Sequence, residues 1–449
     1  MRSTLIGAGG MMLTGPFLSH GQSASQGSRP NILCIMTDDQ AFNMLGRSGR
    51  YPFFKTPQMD RLAREGAVMR NAFVTTSICS PSRATIMTGV HAHVHGVLDN
   101  NHQDPDPSLP NVGQLLQKAG YETAFVGKWH QGSTRGRDYP RPGFDTWYSY
   151  GGQGSYYDCA VNYNGERLKL EGYTTDALTH FASDWLKGDH EKPWAMFLWH
   201  KAPHSPHIPA ERHKGMYDDE ETPAAFAHTD DLRDKPEWFR ARATGRQRGK
   251  GSWRELMAQD KVPDAVEPGR WRTQTAKTEL EMLQSVDETL GWVLDTLEKT
   301  GQLDNTFIVF TSDNGHMRGE HHRKISSKFL MMEESIRVPM LVRYPALITP
   351  GTVIEEQVLN MDLPATFLDL AGAKPPAHMQ GLSWIPLFAG HGDDWRKAWL
   401  YQLQGDLEKW PNIVGIRTDR YKYMEYPEFP QYALYDIVED PHEMTNLYE

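Results

Sequence analysis

Two short acidic turns and one cysteine-led pentapeptide hold the residue types best suited to chemistry. Asp38-Asp39 follows the apolar run 31–36, and Asp313-Asn314 follows the run 306–310. Adjacent carboxylates are costly to hold together unless a cation neutralises them. Three carboxylates and an amide oxygen, with no thiolate or imidazole among them, suit a hard ion such as Ca²⁺ or Mg²⁺. Taken singly, each pair is an ordinary turn or cap. Cys79-Ser80-Pro81-Ser82-Arg83 differs in kind. Ser80-Pro81 predicts a helix start and Gly89 its end. Cys79 then sits just ahead of a helix N-terminus, where backbone N–H groups and the dipole favour an anion. Arg83, one turn in, can face the same spot. On residue types alone, Cys79 is either a buried cysteine beside a cap or a thiolate nucleophile with a depressed pKa.

Cys79-x-Pro81-Ser82-Arg83, followed by Thr88-Gly89, resembles the signature of the type I, formylglycine-dependent sulfatases of the alkaline phosphatase superfamily. Further segments match that family in order: Thr37-Asp38-Asp39-Gln40, Gly127-Lys128-Trp129-His130, Ala202-Pro203-His204-Ser205-Pro206, Ser312-Asp313-Asn314-Gly315, Lys328 five residues before Glu333, and Leu434-Tyr435-Asp436 through Asn446-Leu447. The resemblance spans roughly residues 30 to 449. It is strongest to bacterial glycan sulfatases, of the glucosamine-6-sulfatase-like or heparan-sulfatase-like kind. It departs from the usual pattern in a longer link, Gly319 to Lys328, and in Met332 where an aromatic is expected.

The resemblance implies hydrolysis of a sulfate monoester, with Cys79 converted to formylglycine by a formylglycine-generating enzyme. It assigns Asp38, Asp39, Asp313 and Asn314, with residue 79, to Ca²⁺ (Mg²⁺ being the lesser fit). It implies that Arg83, Lys128 and Lys328 hold the formylglycine hydrate and the sulfate oxygens. His204 would protonate the leaving alcohol, and His130 would take the proton that releases sulfate. Gln153, Tyr156, His316 and Arg318 are the expected rim contacts to a sulfated saccharide, taken exo from a terminal sugar. Aromatic and amide groups near a site suit a sugar, which stacks on its faces and hydrogen-bonds through its hydroxyls.

The elements that must position these residues alternate. Asn31 to Met36, Ala67 to Val74, Thr123 to Val126, Trp194 to Trp199 and Thr306 to Phe310 are strand-like runs. Thr56-Pro57 opens a helix closed by Gly66, Asn111 to Lys118 forms a short one, and Leu280, Leu283, Val286, Leu290, Val293, Leu294 and Leu297 recur at helical spacing. Repeated β-then-α predicts an α/β fold. Its large mixed, mostly parallel sheet is sandwiched by helices, and its sites lie at the carboxyl ends of strands. Residues 210–275 are polar and include the basic run 245–251; they read as a surface excursion or an active-site rim. A smaller C-terminal antiparallel subdomain is expected. The division is a signal peptide at 1–27, a catalytic domain at 28–374 and the subdomain at 375–449. The signal peptide rests on Arg2, an apolar run from Leu5 to Leu18 and a small-residue region near Ser25, and implies export to the periplasm or outside the cell.

Composition closes off other classes. A formal charge of −10 argues against nucleic acid as a partner, since phosphate binding needs surplus Lys and Arg. Three cysteines make no disulfide framework. No later segment is long and apolar enough to span a membrane. Two rivals remain: a phosphonate or phosphate ester hydrolase of the same superfamily, and a non-catalytic protein binding sulfated glycans.

Overall fold

The computed structural model describes residues 29–448 apart from 102, 133–137, 246–251, 268–272, 323, 326 and 405–408. The expected signal peptide at 1–27 and residues 246–251 of the basic run therefore lie outside the described residues.

Ten strands build the large sheet: β1 (Asn31–Thr37), β2 (Ala67–Phe73), β3 (Glu122–Lys128), β4 (Thr146–Tyr150), β5 (Ala160–Tyr163), β6 (Glu166–Lys169), β7 (Trp194–Trp199), β8 (Thr306–Ser312), β9 (Met340–Arg343) and β10 (Thr352–Leu359). Their order is β10-β2-β9-β8-β1-β7-β3-β4-β5-β6. The run β8-β1-β7-β3-β4 is parallel throughout, and β9, β5 and β6 enter antiparallel. The sheet is thus mixed, with a parallel centre.

Every residue of β1 is buried, as expected of a strand covered on both faces. Leu33 and Ile35 enter one core, shared with the helices Pro57–Glu65, Thr174–Leu186 and Thr273–Lys299. Ile32, Cys34 and Met36 enter the other, shared with Val112–Lys118 and Asp362–Leu370. The period-two alternation of a strand makes this division. At Gly127 a Cβ would lie 2.0 Å from the Trp199 carbonyl, so β3 can pair with β7 there only with glycine.

A second sheet of four antiparallel strands follows: β11 (Ala398–Leu403), β12 (Ile413–Thr418), β13 (Tyr421–Glu425) and β14 (Tyr432–Asp436). It shares a third core with the segment expected to be a surface excursion. Trp238 and Trp253 of that segment are wholly buried in this core with Tyr401, Tyr426 and Tyr435. The polar composition of 210–275 hid two large anchors, by which this segment is tied to the small sheet.

Candidate active site

Four neighbouring parallel strands deliver their carboxyl ends to one place. Asp38 and Asp39 leave β1, and Asp313 and Asn314 leave β8, whose Ser312 pairs with Thr37. Lys128 is the last residue of β3, and His204 lies on the loop after β7. Cys79 begins the helix Cys79–Thr88, every residue of which is buried. The cysteine is therefore inside the first turn, one residue later than the sequence suggested.

Among these residues charge is concentrated and closed to water. Oxygens of Asp38, Asp39 and Asp313 lie within 4.8 Å of one another. Arg83 donates from Nε to Asp313 Oδ2 at 2.8 Å, and its Nη2 stands 3.6 Å from Asp38 Oδ2. Lys128 Nζ donates to Asp38 Oδ2. Lys328 Nζ donates to Asp39 Oδ1 at 2.7 Å and to Cys79 Sγ at 2.8 Å. The longer link before Lys328 does not displace it. His321 and Lys235 both bind Asp230, at 2.7 and 2.8 Å, and Met317 N donates to Ser327 O.

Burial raises Asp39, yet Lys328 and His204 beside it hold its carboxyl well below the usual range. For Asp313 burial and the Asp38 charge prevail, raising it to about 6. Burial and the Asp38 carboxylate push the Cys79 thiol up to about 12, opposite to what an activated thiolate needs. Burial also lowers His204, to about 4, and His130 well below its ordinary value.

Asn314 supports a metal at this cluster. Its Nδ2 donates to Asp39 Oδ1 at 2.6 Å and to the Gly315 carbonyl, while its Oδ1 is buried with no hydrogen-bond partner. A buried acceptor without a donor is costly. An oxygen-ligated cation shared with the three carboxylates would satisfy it. Asp38, Asp39, Asp313 and Asn314 thus fit such an ion.

The expected rim residues divide. Gln153 accepts from Lys128 Nζ at 2.6 Å and donates from Nε2 to His130 Nε2 at 3.1 Å, so it joins two catalytic candidates. His316 is half-buried and donates from Nδ1 to the Met317 carbonyl. Two others are not placed as rim contacts. Tyr156 is 3% exposed, and its hydroxyl is spent on the carbonyls of Lys201 and His204. Arg318 is buried against Glu279 and donates from Nη2 to the Asp39 carbonyl at 2.7 Å. Both side chains are consumed by the protein itself, a pairing no local sequence pattern reveals.

Two residues escaped the sequence reading. Lys201 lies three positions before His204, lowered to about 8 by burial and then by the Lys128 charge. Its neighbours in the Ala-Pro-His segment were the available signal. Glu279 stands on the long helix between His207, at 2.9 Å, and Arg318. Nothing local marked it.

An α/β sheet with this charge cluster at the ends of its central strands is the architecture of a hydrolase of anionic esters. The sulfatase family profile matches residues 30–373, and the profile of the C-terminal part of N-sulphoglucosamine sulphohydrolase matches 319–449. The chain belongs to the sulfatase family and is a sulfuric ester hydrolase. It is 32% identical to an N-acetylglucosamine-6-O-sulfatase of Bacteroides thetaiotaomicron, over 94% of this chain and 83% of that one. A solved structure described as a complex with its substrate D-glucosamine-2-N,6-O-disulfate superposes with a TM-score of 0.79 at 31% identity, covering 94% and 93% of the two chains. The phosphonate monoester hydrolase of Agrobacterium radiobacter shares the fold, with a TM-score of 0.71 at 24% identity over 93% and 91%.

Proposed function

We propose that the protein removes sulfate from a terminal sulfated sugar, of the 6-O-sulfated glucosamine type, with Cys79 matured to formylglycine and Ca²⁺ at the acidic cluster. The observation that carries this reading is the partnerless Asn314 Oδ1 among three buried carboxylates, with Cys79 Sγ 3.4 Å from Asp38 Oδ1. The saccharide follows from the full-length similarity to the bacterial N-acetylglucosamine-6-O-sulfatase. Export, by the leader at 1–27, would place the enzyme where polysaccharide fragments occur. The division into a catalytic domain at 28–374 and a subdomain at 375–449 belongs to the same proposal.

When matured, residue 79 would supply a hydrated aldehyde, one hydroxyl serving as nucleophile and the other releasing sulfate. The cation, held by Asp38, Asp39, Asp313 and Asn314, would supply charge neutralisation for the sulfate. The chain does the rest. Arg83, Lys128 and Lys328 surround residue 79 with positive charge aimed where negative charge develops. Gln153 donates to His130 Nε2, which marks Nε2 as the unprotonated nitrogen of a neutral imidazole, the form a proton acceptor needs. His204 Nε2, 3.7 Å from Asp39 Oδ2, would protonate the leaving oxygen. Bound sulfate beside it would favour the imidazolium form that burial alone opposes.

The test is desulfation across defined saccharides, with peptide mass spectrometry at residue 79. The expected result is an aldehyde at 79 and preference for 6-O-sulfated glucosamine. A strong preference for an aryl sulfate over every saccharide overturns the substrate, and full activity with a uniform thiol overturns the nucleophile. Sulfate and phosphate esters share tetrahedral shape, and the shared fold keeps a phosphonate or phosphate ester hydrolase as the second reading. Parallel rates on aryl sulfate and aryl phosphate separate the two.

A further inference from the structure

We infer that Tyr156 is a positioning residue for His204: through the turn 201–205 it fixes where the imidazole sits and which nitrogen faces the substrate. The inference rests on the proposed reaction, in which His204 is the acid.

Several contacts converge on that turn. The Tyr156 hydroxyl bridges the carbonyls of Lys201, at 3.2 Å, and of His204. Its ring stacks on Tyr173, with centroids 6.0 Å apart and planes 16° apart, and lies 4.9 Å from Lys201 Nζ. Lys201 Nζ in turn donates to the Ser205 carbonyl at 3.2 Å. The same carbonyl lies 2.6 Å from His204 Nδ1. A carbonyl only accepts, so Nδ1 carries a hydrogen and Nε2 is the nitrogen left for the reaction. His204 N donates to Lys201 O at 2.9 Å and closes the turn. Tyr156 and Lys201 thus clasp the turn from its two ends.

The step served is a proton transfer. The bond from sulfur to the sugar oxygen breaks and its electron pair stays on that oxygen. The oxygen takes the proton from His204 Nε2–H, leaving neutral imidazole, while the sulfuryl group passes to the hydrate hydroxyl at residue 79, whose own proton goes to the carboxylate beside it, Asp38 Oδ1 lying 3.4 Å from Cys79 Sγ. A displaced acid hinders this step in proportion to how badly the leaving group needs the proton.

Tyr156→Phe keeps the ring and its stacking and removes only the hydroxyl. The measurement is kcat and KM on aryl sulfates with leaving groups from nitrophenol to unsubstituted phenol, and on the preferred sugar sulfate. We expect a loss in kcat of about tenfold or more on the sugar and phenyl sulfates, against less than about twofold on nitrophenyl sulfate, with KM little changed. Lys201→Met should steepen the same leaving-group dependence from the other side of the clasp. His204→Ala should steepen it most. An equal loss on every leaving group, or none, in Tyr156→Phe while His204→Ala steepens the dependence overturns the inference alone. A flat response in His204→Ala overturns the acid assignment as well.

Discussion

The molecule buries two charge clusters, and they differ in how their acids are gathered. In the active site three carboxylates crowd one point among Arg83, Lys128 and Lys328, and an amide oxygen beside them has no partner. Under the small sheet acids and bases pair without such a meeting point. Glu333 faces Lys422 at 2.9 Å and Arg417 at 3.2 Å, and Lys422 also binds Glu443 at 2.8 Å. Glu443 accepts from the backbone N–H of Glu333 at 2.9 Å. Both pair acids with bases and both are nearly sealed from water, so neither pairing nor burial distinguishes them. The convergence of acids does: carboxylates from two strand ends gathered beside a partnerless amide oxygen mark a site, and charges paired across an interface mark a joint. The joint matters for the site, because the small sheet also holds the loops that carry Cys79 and Lys328. Tyr401 Oη donates to the Phe329 carbonyl at 2.8 Å, and Thr76 Oγ1 donates to the Gln402 carbonyl at 2.8 Å.

The largest effect should come from the active-site cluster. Asp313→Asn should lower kcat/KM by about a hundred- to a thousandfold. Bound metal, measured by elemental analysis, should fall with it. The melting temperature in chelator should hardly change, because burial and the Asp38 charge already disfavour the Asp313 carboxylate and Arg83 keeps Asp38 beside it. Full metal occupancy, or a large drop in melting temperature, would break the contrast.

The cluster under the small sheet should respond in the reverse way. Lys422→Met leaves Glu333 and Glu443 buried without their shared cation and should destabilise by about 3–5 kcal/mol in urea unfolding. The folded fraction should keep its metal.

Adjacent glutamates give a sharper test. Burial opposes ionisation of Glu333, but Lys422 and Arg417 bring it down to about 2. Glu334, buried beside Glu320 and Glu443, is pushed well above the carboxylate range. A lowered folded-state pKa stabilises above the unfolded value and is lost on acidification. The stability gap between the parent and Glu333→Gln should therefore be full above about pH 4.5 and close toward pH 2. Glu334→Gln should cost much less than Glu333→Gln at pH 7, since burial and the neighbouring carboxylates disfavour the Glu334 charge. Equal losses in the two variants at pH 7 would refute the assignment.

The smallest effect is the control. Arg70 and Glu355 pair at 2.8 Å with both side chains more than half exposed, so Arg70→Ala should change stability by no more than about 0.5 kcal/mol.

Much of this was legible beforehand. The apolar runs at 31–36, 194–199 and 306–310 became β1, β7 and β8 because a buried parallel strand needs no polar face. The acidic turns met because those strands are neighbours. Tyr156 and Arg318 were legible as polar residues near the site but not as braces, since their partners Lys201, His204, Glu279 and Asp39 lie between 39 and 279 residues away in sequence. Trp238 and Trp253 were hidden by polar neighbours for the same reason: burial belongs to the whole fold, not to a window of sequence.

By itself the sequence determined which residues could do the chemistry and the order of the strands that carry them. Cysteine before Ser-Pro and paired acids after apolar runs are local choices with local physical reasons. Tertiary structure decided which side chains remain available to a substrate. Charge pairing acts through space over a few ångströms, and only the packed chain brings Glu279 to Arg318, Gln153 to His130 and Tyr156 to the turn that presents His204.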